Sequence, residues 1–288
     1  MLDENLKDEL SQLKRKAQSG DAEAQVELGL RYFDGEGVDQ DSGKAAEWFR
    51  KAAEQGFPMA QFKLGLCYIH GAGVEHDFEK AVEWIQKAAK QGLDRAQFNL
   101  GLCYDNGDGV EQDSSTAALW FRRAAEQGHF GAQFFLGSAY LNGKGVKRDL
   151  AQALEWLTKS AEQGLMDAQF LVGNCYANGE GTKKDPVRAI EWYMKAAEQD
   201  FADAQIALGW HHAVGAGVAR DPTKAKEWFQ KAAEQDDPRA WFALGICCRD
   251  GEGTPKDTAK AIECFRQSAE QGFEPAQKEL EKLNTTGD

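Results

Sequence analysis

Small and apolar residues return along this chain at an interval of 36 residues that never slips. One series is alanine throughout: Ala24, Ala60, Ala96, Ala132, Ala168, Ala204, Ala240 and Ala276. Four residues after each of the first seven stands leucine, or valine once, and glycine follows it directly. A period of this length marks units that cannot bury their apolar face alone and must stack on neighbours. The pattern therefore predicts an array, in which chain length reports the number of repeats.

The first half of each repeat has the apolar spacing of a helix. In the first copy Ala24, Leu28 and Tyr32 fall four residues apart, on one face of a helix that is expected to run from about residue 22 to about residue 34. Asp21 stands where a capping side chain accepts from free backbone N–H groups. A glycine pair that begins at Gly35 recurs in all seven repeats, and it is expected to end the helix with backbone angles that a side chain disfavours.

The second half of each repeat predicts a second helix. It is expected to open after Asp41, because two other copies have an Asp-Pro pair at this place and proline is tolerated in the first helical turn. Gly56 is expected to follow it in the left-handed conformation. Gly29, inside the first helix, is expected to permit close approach of the two helices against Ala45 and Ala52. The apolar stripe of the second helix comprises Ala45, Trp48, Phe49, Ala52 and Ala53.

Both ends of the chain lack a complete repeat. Residues 1–20 predict a lone second helix that caps the array, because Leu13 and Ala17 continue the register of the second-helix stripe. Residues 274–288 keep the first-helix stripe, but the glycine has become Glu281, so they predict a C-terminal capping helix and tail. We expect one domain whose seven repeats span 21–273, with bounds at 21–56, 57–92, 93–128, 129–164, 165–200, 201–236 and 237–273.

Composition narrows the classes of partner. The net charge of −13 argues against a nucleic-acid backbone as ligand, because an acidic surface repels phosphate. No run of 18 or more apolar residues occurs, so insertion into a membrane is not expected. Residues 1–6 lack the charged and apolar pattern of a secretory leader, which predicts a cytoplasmic protein. The alternative is a periplasmic or secreted protein from which a leader has been removed.

The six cysteines do not have the arrangement of a disulfide set. Equivalent positions in successive repeats are separated by at least one helix spacing, about 8–10 Å, which is too far for an S–S bond. We expect reduced thiols, in agreement with a cytoplasmic setting. Four cysteines share one place in their repeats and two replace the tyrosine and tryptophan of other copies; they are Cys67, Cys103, Cys175 and Cys247, then Cys248 and Cys264.

The whole repeat can be written as Ala-x-x-x-Leu-Gly-x-x-Tyr, then Gly-x-Gly-Val, Asp, Lys-Ala, Trp and Ala-Ala-Glu-Gln-Gly, over roughly residues 21–284. This pattern resembles the Sel1-like repeat, a relative of the tetratricopeptide repeat. The paired glycines and the 36-residue length separate it from the tetratricopeptide unit of about 34 residues. The resemblance implies an all-α, right-handed superhelical solenoid of helix pairs with terminal capping helices, which acts as an adaptor or scaffold, often in bacterial assemblies.

The resemblance also implies where a ligand binds. In a tetratricopeptide-like stack the first helices line the concave groove, with positions equivalent to 26, 27, 30, 33 and 34 facing it. We expect a peptide or protein segment to bind an apolar patch there that no charge interrupts, with Asn99 and Asn174 hydrogen-bonding to its backbone. The alternative is that these rings bury one another. The candidate residues are Asn99, Phe134, Phe135, Ser138, Leu141, Phe170, Leu171, Asn174 and Trp210.

No motif supplies a catalytic or metal site. The Gly-x-Gly pairs lack the third glycine of a phosphate-binding loop and predict turns. His211 extends the cysteine column beside His212, but neighbouring repeats separate such atoms far beyond the roughly 2.0–2.3 Å that zinc requires. Ser11 and Lys14 match the Ser-x-x-Lys of penicillin-recognising serine enzymes, to which some Sel1-like proteins have been linked. The accompanying Ser-Asp-Asn and Lys-Thr-Gly motifs are absent.

The sequence therefore predicts a non-catalytic, cofactor-free monomer that binds a protein or peptide in its concave groove. Two alternatives stay open at this point. One is a structural subunit of a larger assembly that is contacted through its outer face. The other is a penicillin-binding or β-lactamase-like enzyme. Substitutions in the groove and on the outer face distinguish the groove-binding protein from the structural subunit. An assay of turnover distinguishes both from the enzyme.

Overall fold

The structure of the protein is a computed structural model, which describes the backbone of residues 2–285 and the side chains of residues 8–283. In this described part all regular secondary structure is α-helical, in sixteen helices. The chain divides after Arg148 into two compact units. The all-α fold of stacked helix pairs that the 36-residue period predicts is confirmed.

The first unit contains helices α1 to α8, and each helix packs on the next along the chain. We call α2, α4, α6 and α8 the first helices of their repeats, and α3, α5 and α7 the second helices. Helix α1 packs on α2 ahead of the first complete pair. The bounds are Leu2–Gln18, Ala22–Asp34, Ser42–Glu54, Pro58–His70, Phe78–Lys90, Asp94–Asn106, Ser114–Glu126 and Phe130–Asn142.

The second unit contains helices α9 to α16, packed in the same sequential order. Its first helices are α10, α12, α14 and α16, and its second helices are α9, α11, α13 and α15. No helix in the described residues has both the length and the apolar character needed to cross a bilayer. The bounds are Leu150–Glu162, Met166–Asn178, Pro186–Ala197, Ala202–Val214, Pro222–Ala233, Pro238–Asp250, Thr258–Glu270 and Glu274–Thr285.

The ends of the helices follow the predicted capping residues. A side-chain oxygen of Asp21 accepts from the backbone N–H of Ala24 at 2.9 Å, and Asp41 accepts from Lys44 at 2.9 Å. Gly35 closes α2 in the left-handed conformation, with φ of 78°. The predicted start of the first helix at residue 22, its end at residue 34 and the start of the second helix after Asp41 are confirmed.

The glycine position that follows each second helix has the expected left-handed conformation. Gly56 has φ of 88°, and the two aspartates that replace this glycine, Asp200 and Asp236, both have φ of 61°. Aspartate tolerates this region better than most residues but is less favourable there than glycine. The left-handed end of the second helix is therefore kept even where glycine is lost.

The second glycine of each loop has a packing role that adds to its backbone angles. Gly73 has φ of 72°, and its Cα lies against the start of α3 in the preceding repeat. A β-carbon on Gly73 would overlap the backbone carbonyl of Ser42. Because a backbone group cannot move aside as a flexible side chain can, the loop fits over the preceding helix only with glycine at this position.

The two helices of each repeat pack on each other through the small and apolar residues that recur at equivalent positions. Ala45, Ala52 and Phe49 are buried, and a β-carbon on Gly29 would lie 2.6 Å from ring carbon Cε1 of Phe49. The predicted close approach at Gly29 is thus made to a phenylalanine ring. The three atoms nearest to that β-carbon all belong to the ring, so Phe49 is what requires glycine at this position, and the contact with Ala45 and Ala52 stays a prediction.

Buried glutamines tie neighbouring helices together. Gln97 donates from Nε2 to the carbonyl oxygen of Ala89 at 3.2 Å and accepts at Oε1 from Gln127 Nε2 at 2.7 Å. Both bonds satisfy groups that would otherwise be buried without a partner. The same side-chain pair recurs as Gln25–Gln55, Gln61–Gln91, Gln169–Gln199 and Gln205–Gln235.

Candidate binding surface on the first helices

The nine predicted site residues all lie on first helices, and each unit holds its own part of them. We call the surface lined by these helices the first-helix face of a unit. The side chains are partly accessible, and Trp210 is the most exposed at 40%. The first unit holds Asn99, Phe134, Phe135, Ser138 and Leu141, and the second unit holds Phe170, Leu171, Asn174 and Trp210.

The phenylalanines of the first unit form a connected group of rings. The ring centroid of Phe135 lies 5.1 Å from that of Phe121, 5.7 Å from Phe98 and 5.6 Å from Phe134. Contacts of this kind stabilise an apolar surface by edge and offset packing. The alternative that the rings bury one another therefore holds in part, since Phe134 and Phe135 are half-buried.

Phe135 also lines a hollow of about 190 Å³ between α6 and α8, which we call the Ser138 hollow. The Oγ atom of Ser138 is buried there and has no hydrogen-bond partner among the described groups. Asn142 donates from Nδ2 to the Ser138 carbonyl oxygen at 3.0 Å. The walls consist of Asp105, Ser114, Ala118, Phe121, Phe135, Ser138, Ala139, Asn142 and Lys144.

An ion pair lies in the wall of the Ser138 hollow. Lys144 Nζ is 2.7 Å from Oδ1 of Asp105 and 2.8 Å from Oδ2. Lys144 follows the left-handed Gly143 at the end of α8, so the glycine-pair loop carries its ammonium group back to α6. The ion pair adds charge beside Phe135 and Ser138, in a patch that the sequence predicted to be uncharged.

A second hollow, of about 200 Å³, occupies the equivalent place two repeats earlier, between α2 and α4. We call it the Leu66 hollow. The predicted site does not include it, because the candidate residues begin at Asn99. The apolar column of Leu30, Leu66 and Leu102 was the signal that could have found it. The walls consist of Leu30, Phe33, Phe49, Lys63, Leu66, Cys67, His70 and Ala72.

The Leu66 hollow is apolar except for two basic side chains. Lys63 has no ion-pair partner among the described residues, and His70 lies on the same helix two turns further along. Burial raises the pKa of the Cys67 thiol to about 11, and the positive charge of Lys63 opposes that shift. The ammonium group therefore acts on the interior of the hollow.

In the second unit Trp210 is the most accessible large ring of the predicted set. Its centroid lies 5.1 Å from that of Phe229 in an edge-to-face contact, and 40% of the residue remains exposed. Phe170 packs more deeply, 5.7 Å from Tyr193 and 5.6 Å from Phe201. An exposed tryptophan with one edge fixed by the core is a common energetic anchor in protein interfaces.

The two asparagines predicted to bind a peptide backbone each use one group inside the protein. Asn99 donates from Nδ2 to the carbonyl oxygen of Arg95 at 2.9 Å, which leaves its Oδ1 as the remaining acceptor. Asn174 accepts at Oδ1 from the hydroxyl of Tyr193 at 2.8 Å, which leaves its two N–H donors. Burial raises the pKa of Tyr193 to about 12, so this hydroxyl stays a donor.

Of the residues considered for other chemistry, His211 and His212 are neighbours on α12, and Ser11 and Lys14 lie three positions apart on α1. His211 Nδ1 lies 2.8 Å from the carbonyl oxygen of Ala216. In the described part of the chain no group of three or more His, Cys, Asp or Glu side chains is placed to hold a metal ion. Lys14 lines an open hollow with Tyr32 and Lys44, and Ser11 is not among the residues of that wall.

Comparison with known proteins identifies the repeat. The sequence model of the Sel1 repeat matches residues 22–57, 58–93, 94–129, 131–165, 167–201, 202–237 and 238–273. A solved structure of a protective antigen present in uropathogenic Escherichia coli strains, which displays an SLR fold, has a TM-score of 0.90 and 42% identity. That match covers 97% of this chain and 60% of the antigen chain.

Two further relatives extend the comparison. A Sel1 repeat protein from Oxalobacter formigenes has a TM-score of 0.74 and 35% identity, over 98% of this chain and 81% of that chain. The secretory immunoglobulin A-binding protein EsiB of Escherichia coli O6:H1 is 56% identical over 43 residues. Those residues make up 15% of this chain and 9% of EsiB, so this chain matches only a small part of that relative.

Proposed function

The chain belongs to the Sel1 repeat family, and from that premise we propose that it is a non-catalytic adaptor that binds a peptide or protein segment on its first-helix face. The observation that carries the proposal is the pair of hollows of about 190 and 200 Å³ at one register of that face. Sites for small molecules usually measure about 300–1,000 Å³. Hollows of the observed size fit single side chains of a partner protein.

The nine predicted residues are the contacts that we propose for this partner. Phe135 and Ser138 belong to the wall of one hollow, and Trp210 offers an exposed ring in the second unit. The free groups of Asn99 and Asn174 suit the backbone of an extended or helical segment. EsiB, whose name gives a protein ligand, supports a protein partner for this chain, although the shared segment is short.

Photo-crosslinking in cells that naturally contain the protein tests this function. A photoreactive phenylalanine analogue replaces Phe135 or Trp210 on the first-helix face, or Glu83, an exposed residue of α5, as the control. We expect the same protein to be captured from positions 135 and 210 and not from position 83. Capture from position 83 alone would contradict the proposal.

The captured partner then allows a quantitative test of the anchor. Trp210→Ala is expected to weaken its binding by at least about 2 kcal/mol, the size of an interface hot spot. A loss below about 1 kcal/mol would remove Trp210 from the proposed contacts. Trp228→Leu, a change in a partly buried ring on α13 of the same helix pair, serves as the control for general loss of packing.

One observation favours a second candidate function, a structural subunit contacted through the outer face. Leu119 on α7 is 60% exposed. A single exposed apolar side chain is common on folded proteins, so the weight of Leu119 comes from its place in a column that is glutamate in all the other repeats. Leu119→Glu would disrupt such an assembly and leave binding at the first-helix face intact. The equivalent residues of the other repeats are Glu47, Glu83, Glu155, Glu191, Glu227 and Glu263.

The proposal includes three further properties: no turnover, a monomeric state and a cytoplasmic location. Hydrolysis of a chromogenic β-lactam that disappears in Ser11→Ala would contradict the first. Light scattering during size-exclusion chromatography tests the second. Fractionation of the native cell, with detection of the protein in each compartment, tests the third.

A further inference from the structure

The Leu66 hollow and the Ser138 hollow repeat one geometry within the first unit. Each lies between two successive first helices and has a second-helix phenylalanine, Phe49 or Phe121, in its wall. Seven lining positions of one correspond to those of the other at an offset of 72 residues, as for Leu66 and Ser138 themselves. The two hollows differ in chemistry, since the first is apolar with two basic side chains and the second contains a polar atom without a partner.

We propose that the two hollows form a two-anchor site for an extended peptide. An aliphatic side chain enters the Leu66 hollow with a carboxylate beside it, and a tyrosine enters the Ser138 hollow. This inference rests on the proposed function and deepens it by naming the chemistry of the partner. It concerns the first unit alone.

The distance between the hollows sets the spacing of the anchors. Packed helices lie about 8–10 Å apart, and the packing order places a second helix between the first helices of successive repeats. Two repeats therefore separate the hollows by at least roughly 16–20 Å. An extended chain rises about 3.3 Å per residue, so this span needs at least about five residues. Asn99 lies on α6, between the two hollows, and its free Oδ1 accepts from a backbone N–H of the intervening segment.

The walls of the Leu66 hollow select an aliphatic side chain next to an acidic one. Leu30, Leu66 and the partly exposed Phe33 supply the apolar contacts. Lys63 has no ion-pair partner among the described side chains, so a ligand carboxylate meets an available ammonium group. The net charge of −13 does not cancel this attraction, because salt screens exposed charges beyond about 8 Å at physiological ionic strength.

The walls of the Ser138 hollow select an aromatic side chain with a hydroxyl group. The rings of Phe121 and Phe135 offer edge and offset contacts to an aromatic ring. The buried Oγ of Ser138 has no partner. Rotation about its Cα–Cβ bond to another staggered rotamer brings it within reach of a ligand hydroxyl, which then satisfies it. Lys144 and Asp105 already neutralise each other at 2.7 Å, so this hollow does not favour a charged side chain.

The test uses synthetic peptides and the full chain. Fluorescein-labelled extended peptides contain one leucine and one tyrosine, separated by between about three and eight residues. Each is made with Asp or Lys beside the leucine and with Tyr or Phe at the second anchor. Fluorescence anisotropy is expected to give the tightest binding at one separation of about five residues or more, with Asp preferred over Lys and Tyr preferred over Phe by about tenfold.

Two variants assign each preference to its hollow. Lys63→Glu is expected to reverse the preference from Asp to Lys beside the leucine and to keep the preference for Tyr. Ser138→Ala is expected to abolish the preference for Tyr over Phe and to keep the preference for Asp. Lys90→Glu, at an exposed position of α5, is the matched control for the change in charge and is expected to alter neither preference. Circular dichroism confirms that each variant is folded.

The outcomes separate this inference from the function on which it rests. Binding without dependence on spacing, or preferences that survive Lys63→Glu and Ser138→Ala, overturns the two-anchor site. Absence of binding by every peptide overturns it as well. The adaptor function stands in these cases if positions 135 and 210 still crosslink to a protein, and it fails if position 83 alone does so.

Discussion

The ring of Phe121 lies where a side chain on Gly101 would project, and a β-carbon there would be 2.6 Å from ring carbon Cδ1. Ring carbon Cε1 would lie at the same distance. Glycine inside a helix costs about 1 kcal/mol relative to alanine. The contact between α6 and α7 therefore depends on a residue that the helix itself disfavours. The same relation links Gly29 to Phe49, Gly209 to Phe229 and Gly245 to Phe265.

We predict that Gly101→Ala destabilises the protein although it improves the intrinsic propensity of α6. The added carbon must displace a buried ring, and overpacking of a core costs about 1–3 kcal/mol. Urea denaturation followed by circular dichroism measures the change. In a Phe121→Ala background the same substitution should be neutral or stabilising, because no side chain then occupies the space that the added carbon enters. Equal losses in both backgrounds would contradict this explanation.

The glutamine pair that joins α6 to the end of α7 gives a second prediction. Gln97 is buried and makes two bonds, to Ala89 and to Gln127, whereas Gln127 is exposed. We expect Gln97→Leu to lower the free energy of unfolding by about 1–3 kcal/mol, because the Ala89 carbonyl loses its side-chain partner in a buried place. Gln127→Leu should cost less than Gln97→Leu. Urea denaturation of both variants gives the comparison, and a larger cost at Gln127 would exclude the explanation.

The sequence predicted much of the fold because its decisive signals are local. Asp21 and Asp41 cap the helices as expected, and Asp200 adopts the left-handed angle of the glycine that it replaces. Caps and backbone angles depend on residues within a few positions. The same capping residues and glycines recur every 36 residues, so each copy supports the prediction made from the others. Contacts between helices are less local, and the sequence did not indicate that the ring of Phe49 lies nearest to Gly29.

The candidate surface was less predictable, since it depends on side chains from different repeats. The sequence identified Phe135 and Ser138 as candidates, but not the reach of Lys144 to Asp105 across 39 positions. It also did not indicate that Leu30 and Leu66 border a hollow. The volume of a hollow depends on how side chains from several helices pack around it. The periodic pattern of residue types does not give that volume.

The four cysteines of the shared column are predicted to be unreactive in the folded protein. Burial raises the pKa of Cys67, Cys103, Cys175 and Cys247 to about 11 in each case. At pH 8 a thiol with such a pKa is ionised to about one part in a thousand, and the thiolate is the reactive form. Labelling with Ellman's reagent should therefore be slow at pH 8. Its rate should rise about tenfold for each unit by which the pH is raised, until the pH reaches that pKa.

The control for the labelling experiment is the unfolded chain, in which all six cysteines should react at once. Cys264 is partly exposed and should be the first thiol to react in the folded protein, although burial also raises its pKa to about 11. Rapid labelling of Cys67 at pH 8 would contradict the prediction. Mass spectrometry of the labelled peptides assigns each site.

His129 gives a prediction of how stability depends on pH. Its Nδ1 accepts from the backbone N–H of Ala132 at 3.1 Å and caps α8, and its ring stacks on Phe98 at a centroid distance of 4.5 Å. Burial lowers the pKa of His129, Arg95 adds to the shift and Asp94 opposes it. The protonated ring cannot accept at Nδ1, so the cap is present only in the neutral form.

The sign of the pH effect follows from this lowered pKa. Above about pH 6.5, the ordinary pKa of histidine, the side chain is neutral in both folded and unfolded chains and the cap contributes its full stability. Below that pH the unfolded chain binds the proton first, so stability falls until the folded pKa is reached.

His129→Asn keeps a capping acceptor that does not titrate. We expect the urea midpoint to fall less between about pH 7.5 and pH 5.5 in this variant than in the native protein. The pKa of His212 is also lowered by burial, and its effect cancels because both proteins contain it. Equal falls in the two proteins would show that protonation of His129 does not disturb the cap.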